Sequence, residues 1–112
     1  MRGGGFILAP DGSTIVNRDA FLASAARHRL PAVYPFREFA TNGGLMAYGA
    51  DIVEQYDRAA GYIDRILKGE KPAELPVQAP TKFELVVNLR TAKALGLAIP
   101  QSLLTTASDV IE

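Results

Sequence analysis

His28 is the only histidine in the chain, and it stands between Arg27 and Arg29. An imidazole works as a general base only with a nucleophile in reach and a partner that fixes its tautomer. Ser13, Ser24, Ser102 and Ser108 have no evident base partner and no nucleophile-elbow context. A histidine among arginines at a helix end has a simpler role, as a solvated cation favoured by the negative end of the helix dipole. Spacings typical of metal ligands are absent, and with no cysteine in the chain, thiolate and disulfide chemistry is excluded. Gly3-Gly4-Gly5 and Gly43-Gly44 are not phosphate loops, because each leads into an apolar strand-like run and not into a helix. The sequence thus argues against an enzyme and calls for no metal or cofactor.

What remains is suited to binding. Asp11, in Pro10-Asp11-Gly12, has the acceptor oxygens for a ligand amine or hydroxyl, although Asx-turn geometry is the simpler reading. Tyr34 and Tyr48 each end an apolar run and offer rings for stacking, or else ordinary strand packing with the hydroxyl at the sheet edge. Arg37 and Glu38 either line a cleft or pair with each other. Tyr56 and Tyr62 read as packing and surface residues of one helix.

The elements that must position these residues follow from pattern. Phe6–Ala9 is a short apolar run that ends in turn chemistry. Asn17 is placed to cap a helix with Phe21, Leu22, Ala25 and Ala26 on one face, and Pro31 stops it before the strand Ala32–Tyr34. Asp51 followed by Glu54 predicts a capping box. Ile52, Tyr56, Ala59, Ala60, Ile63 and Leu67 then recur at the period of one buried helix face, with Gly69 as the C-terminal cap. Glu70–Pro80, with three prolines, predicts an extended connector. Phe83–Val87 predicts a strand, Asn88 caps a helix that ends near Gly96, a helical piece follows Pro100, and Val110-Ile111 suits an edge strand. This alternation predicts an α/β, Rossmann-like fold with a parallel sheet and flanking helices, in one compact unit. In such sheets ligands bind outside the carboxyl ends of the strands, which is where Asp11, Tyr34 and Tyr48 fall.

Twelve basic and twelve acidic residues cancel, which gives no electrostatic case for nucleic acid. No apolar run approaches the roughly 20 residues of a membrane helix, and the N-terminus lacks the apolar core of a signal peptide, so the chain as written is expected to stay in the cytoplasm.

Four segments carry a resemblance: Leu30–Pro35 (LPAVYP), Gly43–Gly49 (GGLMAYG), Ile66–Val77 (ILKGEKPAELPV) and Asn88–Leu97 (NLRTAKALGL). Together they resemble the C-terminal part of bacterial ABC-transporter substrate-binding proteins. These belong to the type I periplasmic binding class, in the group with tryptophan- and tyrosine-binding members. The resemblance implies two α/β lobes with a small-molecule ligand between them, an ABC permease as partner and a periplasmic location for the parent protein. It implies that residues 1–36 end a β-α-β of the second lobe. Residues 37–70 would hold a crossover and a first-lobe strand and helix, and residues 71–112 would cross back into the second lobe. Asp11, Tyr34, Arg37 and Tyr48 would then face an amino acid or aromatic acid, with Arg37 pairing a carboxylate, and Gly43 and Gly44 would serve a hinge. A family member has roughly 300 residues, more than two ordinary domain lengths. The alternative is therefore a truncated, non-binding lobe, or a small α/β interaction domain, that dimerises to cover its orphaned helix face.

Overall fold

The computed structural model describes residues 3–112; Met1 and Arg2, the first residues of the segment expected to end a β-α-β of the second lobe, lie outside it. The chain forms two compact units, one of residues up to Gly49 together with Glu84–Glu112, the other of Ala50–Phe83.

The larger unit is built on a five-stranded sheet in the sequential order β1 (Phe6–Ile7), β2 (Ala32–Tyr34), β3 (Met46–Ala50), β4 (Phe83–Asn88) and β5 (Asp109–Ile111). β1 and β2 pair in parallel with Phe6 opposite Ala32, β2 and β3 with Val33 opposite Met46, and β4 and β5 with Val86 opposite Asp109. The expected α/β sheet with flanking helices is therefore present, with one correction. Asn88 N–H donates to Leu45 O and Asp51 N–H to Lys82 O, so β4 runs antiparallel to β3 and the sheet is mixed.

Two short helices occupy stretches that read as loop. Asp11 Oδ1 accepts from the backbone N–H groups of Ser13 (2.6 Å) and Thr14 (3.3 Å) and so starts α1 (Gly12–Val16). Asn17, expected to cap the next helix through its side chain, instead donates from Nδ2 to Ser13 O at 2.9 Å and finishes α1. α2 (Arg18–Arg27) then begins without a side-chain cap. It ends with Leu30 N–H on Ala25 O and Arg29 N–H on Ala26 O, which places Arg29 in the left-handed region at φ +51°. α3 (Arg37–Thr41) also lacks a side-chain cap.

The core follows from the sheet. Tyr34 packs edge-on to Phe6 (centroids 6.1 Å apart) and stacks on Phe39 (5.0 Å), with Ala32, Leu8, Leu22 and Phe36 around them. A second cluster joins Ala40, Ala47 and Val86, with Ile111 against it. Asn88 ties helix to sheet: its Oδ1 accepts from Thr91 N–H (3.1 Å) to cap α5 (Leu89–Ala94), and its buried Nδ2 donates to Ala40 O (2.9 Å). α6 (Gln101–Thr106) leads into β5.

The smaller unit is α4 (Ile52–Leu67) and the segment that returns along it through a 3-10 turn at Pro72–Glu74. Asp51 caps α4 by accepting from Glu54 N–H (3.1 Å), and Gly69, at φ +106°, lets Glu70 N–H reach Arg65 O. The capping box is half formed, because Asp51 N–H is taken by Lys82 O and Glu54 instead pairs with Arg58. The returning segment lies on a polar face: Arg58 donates to Gln78 Oε1 and Thr81 Oγ1, and Tyr62 donates to Pro76 O. The apolar stripe is left uncovered, with Tyr56, Ile63 and Leu67 exposed at 74%, 57% and 81%. Among the described residues no helix is long and apolar enough to cross a membrane.

Candidate functional site

The carboxyl ends of β1, β2 and β3 lie along one edge of the sheet, and the antiparallel step brings the starts of β4 and β5 to that same edge. A sheet edge of this kind collects loops that the sheet holds in place. Four of the residues singled out from sequence belong there, in different states.

Asp11 follows β1 and is exposed. Its carboxylate accepts from the Ser13 hydroxyl and from the N–H groups of Ser13 and Thr14. Those bonds, the Ser13 hydroxyl foremost, hold its carboxyl below the usual carboxylate range, since each favours the charged form. The charge stays at the edge, with much of its hydrogen-bonding capacity used within the turn.

Tyr34 ends β2 and is 1% exposed, so within this unit its ring offers no surface to a ligand. Burial pushes its hydroxyl pKa up. Its ring packs instead against Gly44, which lies so close that an added Cβ would meet the Tyr34 ring at 2.7 Å and Phe39 O at 2.8 Å.

Arg37 opens α3, the helix that follows β2. Its Nη1 donates to Glu84 Oε1 at 3.1 Å and its Nη2 to Asp109 Oδ2. Glu38, its neighbour in sequence, is not its partner in either bond. The guanidinium thus joins the helix after β2 to the first residues of β4 and β5 contributed by the larger unit.

Tyr48, on β3, is 57% exposed and presents an aromatic surface near this edge. Gly43 and Gly44 precede β3 and so lie at the opposite edge, where Thr91 Oγ1 donates to Gly43 O at 2.9 Å. The chain leaves the larger unit after Gly49 and re-enters it at Glu84. Glu84, Asp109 and Gly49 were not singled out from sequence. A search for a carboxylate partner to Arg37 would have had to reach across 47 and 72 residues. Among the described residues no group of three or more histidine, cysteine, aspartate or glutamate side chains is placed to hold a metal ion.

The family model for ABC transporter substrate-binding proteins matches residues 2–111. The chain belongs to that family. Solved structures agree with the assignment. A domain from Streptococcus pneumoniae, described as an ABC domain in complex with L-Trp, superposes with a TM-score of 0.86 at 27% identity, over 94% of this chain and 36% of its own. A conserved domain protein from Vibrio cholerae O1 biovar El Tor superposes at 0.84 with 24% identity, over 94% of this chain and 35% of its own. The ligand-free, open form of a substrate-binding protein with adhesive properties from Clostridium difficile reaches 0.63 at 20% identity, over the same shares. The last two support the fold alone. No curated protein matches the chain. The chains of these solved structures are longer, and the present chain spans 35–36% of each.

Proposed function

We propose that the chain is part of the solute-binding component of an ABC transport system. In this reading it captures a small organic molecule of the amino acid or aromatic acid type outside the cytoplasm and passes it to a membrane permease. The observation that carries the reading is the family match across residues 2–111, and the structural neighbour bound to L-Trp supports the ligand class. Such a protein binds without covalent chemistry, and its affinity comes from contacts that differ between its conformations. At the sheet edge Asp11 and Tyr48 supply the exposed surface, Asp11 as acceptor for an amine and Tyr48 as an aromatic wall. Arg37 contributes from behind that surface, and Tyr34 contributes through the core. Titration calorimetry with L-tryptophan, L-tyrosine and a non-aromatic amino acid tests the reading. Saturable binding of an aromatic amino acid that Asp11→Ala weakens at least about tenfold supports it, and heat of dilution alone with all three counts against it for this chain.

A second reading is favoured by the uncovered stripe of α4. Here the 112-residue chain does not bind solute by itself and associates with a second copy to bury Tyr56, Ile63 and Leu67. Light scattering over a dilution series separates the two, since only this reading requires a concentration-dependent dimer.

A further inference from the structure

We propose that Arg37 is a positioning residue that fixes the point where the chain re-enters the sheet, and that it influences solute binding through Glu84 and Asp109 and not by touching the solute. The second half of this statement rests on the solute-binding reading; the first does not.

The two crossing points of the chain are both pinned to the short segment that follows β2. On the outgoing side, the backbone of Gly49 packs so tightly on Pro35 that an added Cβ would lie 2.1 Å from Pro35 O. On the returning side, Arg37 holds Glu84, the first residue of the larger unit after the excursion. The same guanidinium holds Asp109, at the start of β5. Ser108 N–H donates to Leu85 O (2.7 Å) and Leu85 N–H donates to Ser108 Oγ (3.2 Å), so β4 and β5 are joined just beside the two carboxylates. A planar fork with donors on both terminal nitrogens can serve two carboxylates at once, which an ammonium on a flexible stem does less well.

The arrangement also argues against Arg37 as the direct partner of a solute carboxylate. Glu84 and Asp109 bring two negative charges to one positive, so an incoming carboxylate would have to displace one of them or join a cluster already net negative. The side chains of Arg37 and Glu84 are 38% and 21% exposed, partly withdrawn from the solvent that would screen such a repulsion.

Amide hydrogen exchange on the 112-residue chain tests the positioning role without any ligand. In Arg37→Gln, exchange at Leu85 and Ser108 is expected to speed up by about tenfold or more, because local opening there loses its brace. Exchange at Leu8, whose N–H donates to Val33 O in the β1–β2 pair, should stay at the wild-type rate. Arg37→Lys is expected to recover only part of the protection. Unchanged exchange at Leu85 and Ser108 in Arg37→Gln overturns the proposal.

A second measurement compares L-tryptophan with tryptamine, which lacks the carboxylate. Arg37→Gln and Glu84→Gln should weaken both ligands by the same factor, and the double variant should be no weaker than the worse single variant. Loss of L-tryptophan affinity alone, with tryptamine unaffected and Glu84→Gln silent, would show a direct contact and overturn the second half of the proposal. If neither ligand binds wild type, the solute-binding reading fails, while the exchange result still decides the role of Arg37 in the fold.

Discussion

The two compact units spend their apolar residues differently. The larger one holds every buried hydrophobic side chain among the described residues, including Tyr34, Phe39, Val86 and Val87. The smaller one buries Asp51, while its helix leaves Tyr56, Ile63 and Leu67 exposed. Both contain well-formed helix caps and regular backbone hydrogen bonds. The contrast teaches that local order and a core are separate achievements: α4 has the cap and the period of a core helix, and nothing in its own unit for that period to meet. An isolated helix of this length is marginal in water, because most helical stability in proteins comes from packing of the apolar face.

Matched substitutions in the two units test that contrast most directly. Phe39→Ala should cost about 3–5 kcal/mol by removing a fully buried ring from the Tyr34 stack. Chemical denaturation followed by near-ultraviolet dichroism would read it, and a loss under about 1 kcal/mol would mean that the larger unit is loosely packed. Asn88→Ala should follow at about 1–3 kcal/mol, since it removes the α5 cap and the side-chain donor to Ala40 O, which keeps only the Gly43 N–H. Gly44→Ala should cost about 1–3 kcal/mol because the new methyl meets the Tyr34 ring and Phe39 O. At the small end, Ile63→Ser in α4 should change the stability of the 112-residue chain by no more than about 0.5 kcal/mol. A large loss there would show that the stripe is covered in solution, and the contrast between the units would collapse.

Acid sharpens the same comparison. The Glu54 N–H, with Lys82 as a smaller contributor, holds the Asp51 carboxyl below its ordinary value of 3.8 against the opposing effect of burial. A carboxyl lowered on folding stabilises the folded state above 3.8, and that contribution is lost as pH falls through the lowered value. Helix content of α4 should therefore fall in acid. Asp51→Asn, which can still cap but does not titrate, should differ from wild type at neutral pH and converge on it as the carboxylate is protonated. A constant difference across the titration would remove Asp51 from the account.

Much of the fold was legible in the sequence where signals were local. The caps at Asp51 and Asn88, the stop at Gly69 and the period of α4 all act within a few residues, and the elements they define are present. α1 and α3 were hidden because a five-residue helix is too short to establish a period. The capping role of Asp11 was read as turn chemistry, which employs the same oxygen and the same N–H groups. The antiparallel step between β3 and β4 depends on where the chain returns after a long excursion, and no neighbouring residue encodes that. At the candidate site, residue type identified Asp11, Tyr34, Arg37 and Tyr48 as worth attention. Burial of Tyr34 and the carboxylate partners of Arg37 arise from tertiary packing and could not be read from spacing.

The reversal between β3 and β4 has a consequence for how freely the protein can vary. Hydrogen bonds at Asn88–Leu45 and Asp51–Lys82 keep one register from end to end, so the two strands form a single hairpin. To the sheet, everything between Asp51 and Lys82 is the tip of that hairpin. The entropic cost of closing a loop grows only slowly with its length, so the sheet is indifferent to whether the tip is a tight turn or a helix with its return. Tips of other lengths and chemistries grafted at this point are expected to leave the hairpin beneath them closed.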